Sequence, residues 1–355
     1  MAKRKTRAGQ GEAKRSLKAS RSKQPNIQQK LDTAVQLLEA GHLPLAEEPL
    51  SRILDVEPNH PEALHLLGLI ALGNGNNDLA KEFLTKALAV KPDYPEAHNN
   101  LGNAFRGLGQ LDDAVACYQQ AIAFKPDYVN AHNNLGVALQ DLGRLEKAVA
   151  SLHMALSINP DFTEAHFNLG NAFKELEWPE EAVDCYRKAL AIKPDFAEAH
   201  YNLGLVLQDL WKLEEAVACY QKALALKPDY ADVHNNLCFA FKELGWLDEA
   251  IDSYQNALSI NPDNIDAKYN LGLFQLLMGD FPSGWGNWNC RWRLDSFASG
   301  FEKHKKYGKP LWRGEAVDGK PVLVWAGAGS RRNHLIRLHD PGFNRTWGGG
   351  NFGVR

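Results

Sequence analysis

Six asparagines recur every 34 residues, at Asn100, Asn134, Asn168, Asn202, Asn236 and Asn270. A side-chain amide both donates and accepts hydrogen bonds. A row of amides can therefore hold a peptide main chain without reading its side chains. The same row can bond within or between helices, and the spacing leaves both uses open. Histidine keeps the same step at His98, His132, His166, His200 and His234. Imidazoles ligate metals, but packed helices lie roughly 8–10 Å apart, while Zn–N bonds are about 2.0–2.1 Å. No second ligand accompanies each histidine, so the spacing predicts packing between repeats and no metal site. Cys117, Cys185 and Cys219 share one register, which Ser151 and Ser253 fill elsewhere. With Cys238 and Cys290 they form no C-x-x-C pair, and they read as packed thiols.

Other polar residues keep step too. Gln140-Asp141, Lys174-Glu175, Gln208-Asp209 and Lys242-Glu243 lie six and seven residues beyond the asparagines, further along the same helices. Such mixed pairs suit an extended peptide better than nucleic acid, which wants a basic stripe; a solvated helix end is the plainer use. Trp178, Trp211 and Trp246 stand where small residues usually turn the chain. They read either as exposed contact points on one edge or as rings lying flat on a neighbouring turn. No residue set reads as catalytic, and none as cofactor-binding. Gly327-Ala328-Gly329 has the spelling of a phosphate loop, but no helical pattern follows it.

The elements that position these rows follow from further repeats in the same step. Proline recurs at Pro58, Pro92, Pro126, Pro160, Pro194, Pro228 and Pro262. Glycine recurs at Gly68, Gly102, Gly136, Gly170, Gly204 and Gly272, with Cys238 in the vacant slot. Two alanine series, from Ala80 and from Ala87, run beside them. Within residues 95–128 the apolar spacing is helical. Ala97, Leu101, Ala104, Phe105 and Leu108 form one stripe, and Ala114, Val115, Tyr118, Ala121 and Ile122 form another. Gly107 and Gly109 are expected to break the chain between the two helices, and Pro126 to end the second. Gly102 and Ala114 are expected to let the helices of one unit approach closely, while Tyr118, Tyr186, Tyr220 and Tyr254 fill wider gaps. One hairpin cannot bury both of its faces, so neighbours must stack.

These residues resemble the tetratricopeptide repeat family. The resemblance implies an all-α chain, a right-handed α-solenoid of helix-turn-helix repeats, with a short irregular C-terminal remnant. It assigns repeats at 27–60, 61–94, 95–128, 129–162, 163–196, 197–230 and 231–264, and a partial one at 265–298. The first is atypical: Ala34 replaces the glycine, and Pro49 is expected to interrupt its second helix. In this family the first helices line the concave side, which places the six asparagines inside a groove. The implied function is a scaffold that binds extended segments of other proteins there.

A second resemblance begins where the register is read to stop, after Gly279. Gly284-Trp285, Arg291-Trp292, Pro310-Leu311-Trp312-Arg313-Gly314-Glu315, Gly319-Lys320 and Val322-Leu323-Val324-Trp325 resemble the junction in bacterial proteins that join such repeats to a glycosyltransferase-like domain. In O-linked N-acetylglucosamine transferases an inner asparagine ladder holds protein substrates. The resemblance implies that the apolar run is the first strand of a two-lobed α/β fold. The family's acid-Gln-Gly-x-Gly-Asp loop is replaced by Ala326-Gly327-Ala328-Gly329-Ser330. Residues 299–355 therefore read as a linker and the truncated start of such a domain. The alternative function is the substrate-recognition part of a transferase of this type.

The first 26 residues hold nine Lys or Arg and one acid, which leaves 31 basic and 42 acidic residues, net −11, in the rest. The basic tail reads as a disordered solubility segment, as a contact for an anionic surface or nucleic acid, or as an overlong start assignment. It has no apolar core of a secretory signal, and no run of 18 apolar residues follows. The expected location is the cytoplasm, and the expected partners are proteins or peptides, with nucleic acid confined to the tail.

Overall fold

The computed structural model describes residues 27–293 and the backbone of residues 321–324 and 334–337. The chain divides into two units, residues 1–192 and 193–355. The basic tail and most of the region from 294 onward lie outside the described residues.

The first unit contains α1 (27–39), α2 (Leu43–Leu54), α3 (Pro61–Gly73), α4 (Asn77–Val90), α5 (Pro95–Gly107), α6 (Leu111–Phe124), α7 (Val129–Asp141), α8 (Leu145–Ile158), α9 (Thr163–Glu175) and α10 (Pro179–Ile192). The second contains α11 (Ala197–Asp209), α12 (Leu213–Leu226), α13 (Ala231–Leu244), α14 (Leu247–Ile260), α15 (Ile265–Leu277) and α16 (Phe281–Trp288). A 3-10 turn at Asn289–Arg293 follows. The helices of each unit stack as an all-α solenoid of hairpins. β1 (Pro321–Val324) and β2 (His334–Arg337) form an antiparallel pair, Val322 opposite Ile336. Of the expected strand Val322–Trp325, a strand is present at Pro321–Val324, but its partner makes a two-stranded antiparallel sheet.

Small residues set the distance between the two helices of a hairpin. A Cβ built at Gly102 would lie 2.6 Å from Tyr118 Cε1, one at Gly170 2.7 Å from Tyr186 Cε1, and one at Gly204 2.5 Å from Tyr220 Cε1. The tyrosines thus seat on the glycines rather than filling separate gaps, and all three rings are fully buried. Leu84 and Leu152 take the same seat against Gly68 and Gly136. Ala114, Ala148, Ala182 and Ala216 are fully buried beside them.

Three details differ from the sequence expectation. Pro49 does not interrupt α2, which runs through it. The missing N–H costs one backbone bond, but Ala46, Leu50 and Ile53 still bury a continuous stripe against Ala34, Ala63 and Leu67. Gly107 is the last residue of α5, not a break. It is small because a Cβ there would run into the Asn77 side chain, and Gly109 alone makes the turn, at φ 72°. Finally, the register does not stop at Gly279. Gly284 falls in the alanine register and Trp288 in the tyrosine register, and α16 packs on α15 so closely that a Cβ at Gly272 would strike the Trp288 backbone. The register fails only at Arg291, in the slot of Ala257, where the guanidinium lies over the Trp288 ring.

The turn between helices of a hairpin needs a left-handed residue. Gly41, Gly75, Gly109, Gly143, Gly245 and Gly279 supply it, but the same slot holds Glu177 at φ 60° and Trp211 at φ 58°. A side chain is strained there. Trp211 is 68% exposed and loses little packing if removed. Trp211→Gly is therefore expected to raise the unfolding free energy by about 0.5–1 kcal/mol, the relieved strain less the extra freedom of glycine in the unfolded chain. A urea titration checks this; a lower midpoint would mean that the indole holds the turn by packing.

Candidate functional site: the face of the first helices

In the first unit α3, α5, α7 and α9 touch in succession, whereas the second helices approach their own counterparts less closely. The first helices therefore lie on the inner side of the curve. Asn100, Asn134 and Asn168 stand on this side and are linked, and Asn202, Asn236 and Asn270 stand on first helices of the second unit, all six half-buried.

Asn100 Nδ2 donates to His65 Nε2 at 2.8 Å, so the other ring nitrogen of His65 carries the hydrogen and donates to Tyr94 Oη at 3.0 Å. Asn99 Nδ2 donates to Asn100 Oδ1 at 3.3 Å. Asn134 Nδ2 donates to Asn99 Oδ1 at 3.0 Å and to Asn103 Oδ1 at 3.3 Å. Asn133 Nδ2 donates to Asn134 Oδ1 at 3.3 Å, and Asn168 Nδ2 to Asn133 Oδ1 at 2.9 Å. One hydrogen-bonded chain thus crosses α3, α5, α7 and α9. In the second unit Asn236 Nδ2 donates to Tyr201 Oη at 3.1 Å and to the Asp232 carbonyl at 3.0 Å. Asn202 and Asn270 are half-buried on α11 and α15.

Each linked asparagine reaches a side chain 35 positions earlier in the sequence. Those partners, His65, Asn99, Asn133 and Tyr201, were not singled out from sequence. The available signal was the doublets Asn99-Asn100, Asn133-Asn134 and Asn235-Asn236. Bonding between helices, one of the two uses left open, is therefore present. Binding is not excluded by it: Asn168 spends one N–H on Asn133, while its other N–H and its carbonyl oxygen have no partner among the described residues.

The histidine row is structural. His98, His132, His166, His200 and His234 each donate Nε2–H to the carbonyl of the proline six residues earlier, at 2.8–3.1 Å. They tie each inter-repeat loop to the helix that follows. The remaining Nδ1 of His166, His200 and His234 is buried without a hydrogen-bond partner. Burial lowers the pKa of His200.

His65 is different in kind. Burial drives its pKa down to about 4, with Glu96 raising it and Lys91 lowering it by smaller amounts. The ring is neutral when folded and has an ordinary pKa when unfolded, so only the unfolded chain takes up a proton as pH falls from about 6.5 toward 4. Stability carried by His65 is complete above about pH 6.5 and shrinks across that window by about 3 kcal/mol. Carboxylates titrate there as well, so the check is a difference: urea midpoints at pH 7 and pH 4.5 for the wild type and for His65→Asn, which copies Asn99 and Asn133. The variant is expected to lose less on acidification. An equal loss would remove His65 from the acid response.

The tryptophans split into two registers. Trp178 and Trp246 precede second helices and lie against Phe173 and Phe241, with ring centroids 5.7 Å apart in both cases. They rest on their own hairpins yet stay half-exposed. Trp211 stands one slot earlier, at the left-handed turn. Among the polar pairs, Gln140 donates to Glu175 at 2.5 Å, Lys242 pairs with Glu243 at 3.1 Å, and Gln208 accepts from Tyr220 Oη. Burial pushes the thiols of Cys117 and Cys185 up to about 11, as packed thiols require.

Two family models, TPR repeat and Tetratricopeptide repeat, match the chain. The first covers residues 102–143, 138–176, 180–210, 212–245 and 240–279, and the second covers 27–104. The chain belongs to the tetratricopeptide repeat family. No curated protein matches it. Among solved structures it is similar to the Cut9–Hcn1 assembly of the APC/C (TM-score 0.55, 18% identity, 69% of this chain and 52% of that one). It is similar to pilF of Pseudomonas aeruginosa (TM-score 0.53, 22% identity, 62% and 97%). YrrB, described as a TPR protein with an unusual peptide-binding site, aligns at TM-score 0.46 and 21% identity, over 54% and 98%. These likenesses are of fold. Tetratricopeptide repeats are scaffolds for contacts between proteins, and among the described residues no helix is long and apolar enough to cross a membrane.

Proposed function

We propose that the first-helix face binds an extended segment of a partner protein, with the asparagine row holding its main chain. The supporting observation is the amide chain from His65 to Asn168. Lateral bonds hold these side chains in place before any ligand arrives, so little rotamer freedom is lost on binding. Amide capacity such as that left on Asn168 is of the kind that main-chain N–H and C=O groups accept and donate to. A cytoplasmic setting accords with five cysteines that form no disulfide among the described residues.

A fluorescent pool of random nonapeptides tests this by anisotropy with the full chain. Asn168→Ala is expected to weaken pool binding by a few-fold, as befits one hydrogen bond of about 0.5–1.5 kcal/mol. Met154→Ser, on the exposed side of a second helix, is expected to leave it unchanged. Equal losses from both variants would move the binding surface elsewhere.

The second reading, a substrate-recognition arm for a glycosyltransferase of the O-linked N-acetylglucosamine type, has one observation in its favour: a strand at Pro321–Val324, where the resemblance places one. Retention of Ser- or Thr-bearing peptides of the pool in preference to peptides without a side-chain hydroxyl would support it.

A further inference from the structure

The first helices of the two units carry different chemistry on the face that bears the asparagines. Along a helix, positions i, i+4 and i+7 share one face. In the second unit that stripe reads Glu198, Asn202, Leu205 on α11. It reads Asp232, Asn236, Phe239 on α13, and Asp266, Asn270, Leu273 on α15. Acid, amide and apolar residue follow in the same order three times. In the first unit no stripe has that composition from α5 onward. Glu96-Asn100-Asn103 and Glu164-Asn168-Asn171 end in amides, and Asn130-Asn134-Val137 begins with one.

An acid in the first turn is by itself ordinary, because it meets the positive end of the helix. The pairing with an apolar end is what sets the second unit apart. Glu198, Asp232 and Asp266 are exposed and have no ion pair among the described residues. Phe239 is 37% exposed, with Leu205 and Leu273 half-buried. Leu277, 67% exposed, extends the apolar row by one turn of α15. Lys242 lies 5.4 Å from the Phe239 ring, but its charge is met by Glu243.

We infer that the face of α11, α13 and α15 receives an extended partner segment with an apolar residue at every third position and basic residues between. The inference rests on the proposed groove and specifies what its second unit selects. Two arguments fix the occupant. Three unpaired acids on one margin call for cations opposite them. Spacing supplies the period: Asn236 on α13 bonds across to Tyr201 on α11, as neighbours roughly 8–10 Å apart do, the same 34-residue step leads from α13 to α15, and a polyproline-type strand advances about 9.3 Å in its three-residue turn. Each turn of such a segment can then present one apolar side chain to Leu205, Phe239 and Leu273 in succession.

The probe is a labelled nonapeptide, Lys-Pro-Leu repeated three times, titrated by anisotropy into the full chain at low and moderate salt. It is expected to bind about tenfold or more tightly than Glu-Pro-Leu or Lys-Pro-Ser repeats, and to weaken as salt rises. The triple variant Leu205→Asn, Phe239→Asn, Leu273→Asn, which gives the second unit an all-polar stripe, should abolish the preference for leucine. Should that variant melt early, the three peptides decide alone. If the random pool binds but the three repeats bind equally, the inference is overturned while the groove stands. If neither the pool nor any repeat binds, both fall. If removing residues 1–26 tightens the lysine peptide about tenfold, the chain's own basic tail is the occupant and the partner is ruled out.

Discussion

Replacing Tyr220 with alanine is expected to lower the unfolding free energy by about 3–5 kcal/mol, the range for emptying the seat of a fully buried aromatic ring. The ring is inaccessible to solvent, lies against Gly204, has Tyr201 6.2 Å away, and donates its hydroxyl to Gln208 at 3.1 Å. Tyr220→Leu should cost only about 1–2 kcal/mol, because Leu84 and Leu152 already occupy this seat in other repeats. Gly204→Ala should cost about 1–3 kcal/mol in the wild type, where the new methyl meets the ring. In the Tyr220→Ala background it should cost almost nothing, since the methyl enters the space the ring has left. Urea unfolding of the four proteins gives the coupling directly. Additive losses would mean that glycine and tyrosine do not share one contact.

Changing Asn134, Asn168, Asn202 and Asn236 together to alanine is expected to abolish capture of the random peptide pool. It is also expected to lower stability. Asn134 and Asn168 each donate to the preceding repeat, and their removal leaves Asn99 and Asn133 with an unused acceptor. At about 1 kcal/mol for each bond lost, the quadruple variant should lose about 2–4 kcal/mol. Both quantities must be read at a temperature where circular dichroism shows the variant still helical. Lost stability with unchanged affinity per folded molecule would reduce the row to a structural ladder.

Much of this molecule is legible in one dimension because its contacts are local. Each hairpin packs on its neighbours, so a residue type required by a contact must return with the period of that contact. Gly102, Ala114 and Pro126 could be assigned roles from spacing for this reason. What sequence failed to show depends on substitution within a register. Gly284 and Trp288 keep the alanine and tyrosine slots in different residue types, so an identity-based reading stopped at Gly279 while the repeat continued into α16. The partners of the asparagines were missed for another reason. Asn99 and Asn133 lie one position away from the ladder, on the side that faces the following repeat, and only the packing of α5 against α7 shows that residue 99 meets residue 134. Pro49 was over-read because its local penalty is smaller than the burial of Ala46, Leu50 and Ile53 around it.

The central claim is that the inner amides touch the ligand. The most direct measurement follows the side-chain NH2 resonances of Asn100, Asn134, Asn168 and Asn236 in the folded chain as the peptide pool is added. No residue is changed, so stability does not enter. The account predicts that these resonances shift in proportion to the bound fraction, while the exposed residues of α8 and α10 stay still. Saturable binding that leaves all four amides unmoved and shifts the second helices would contradict it.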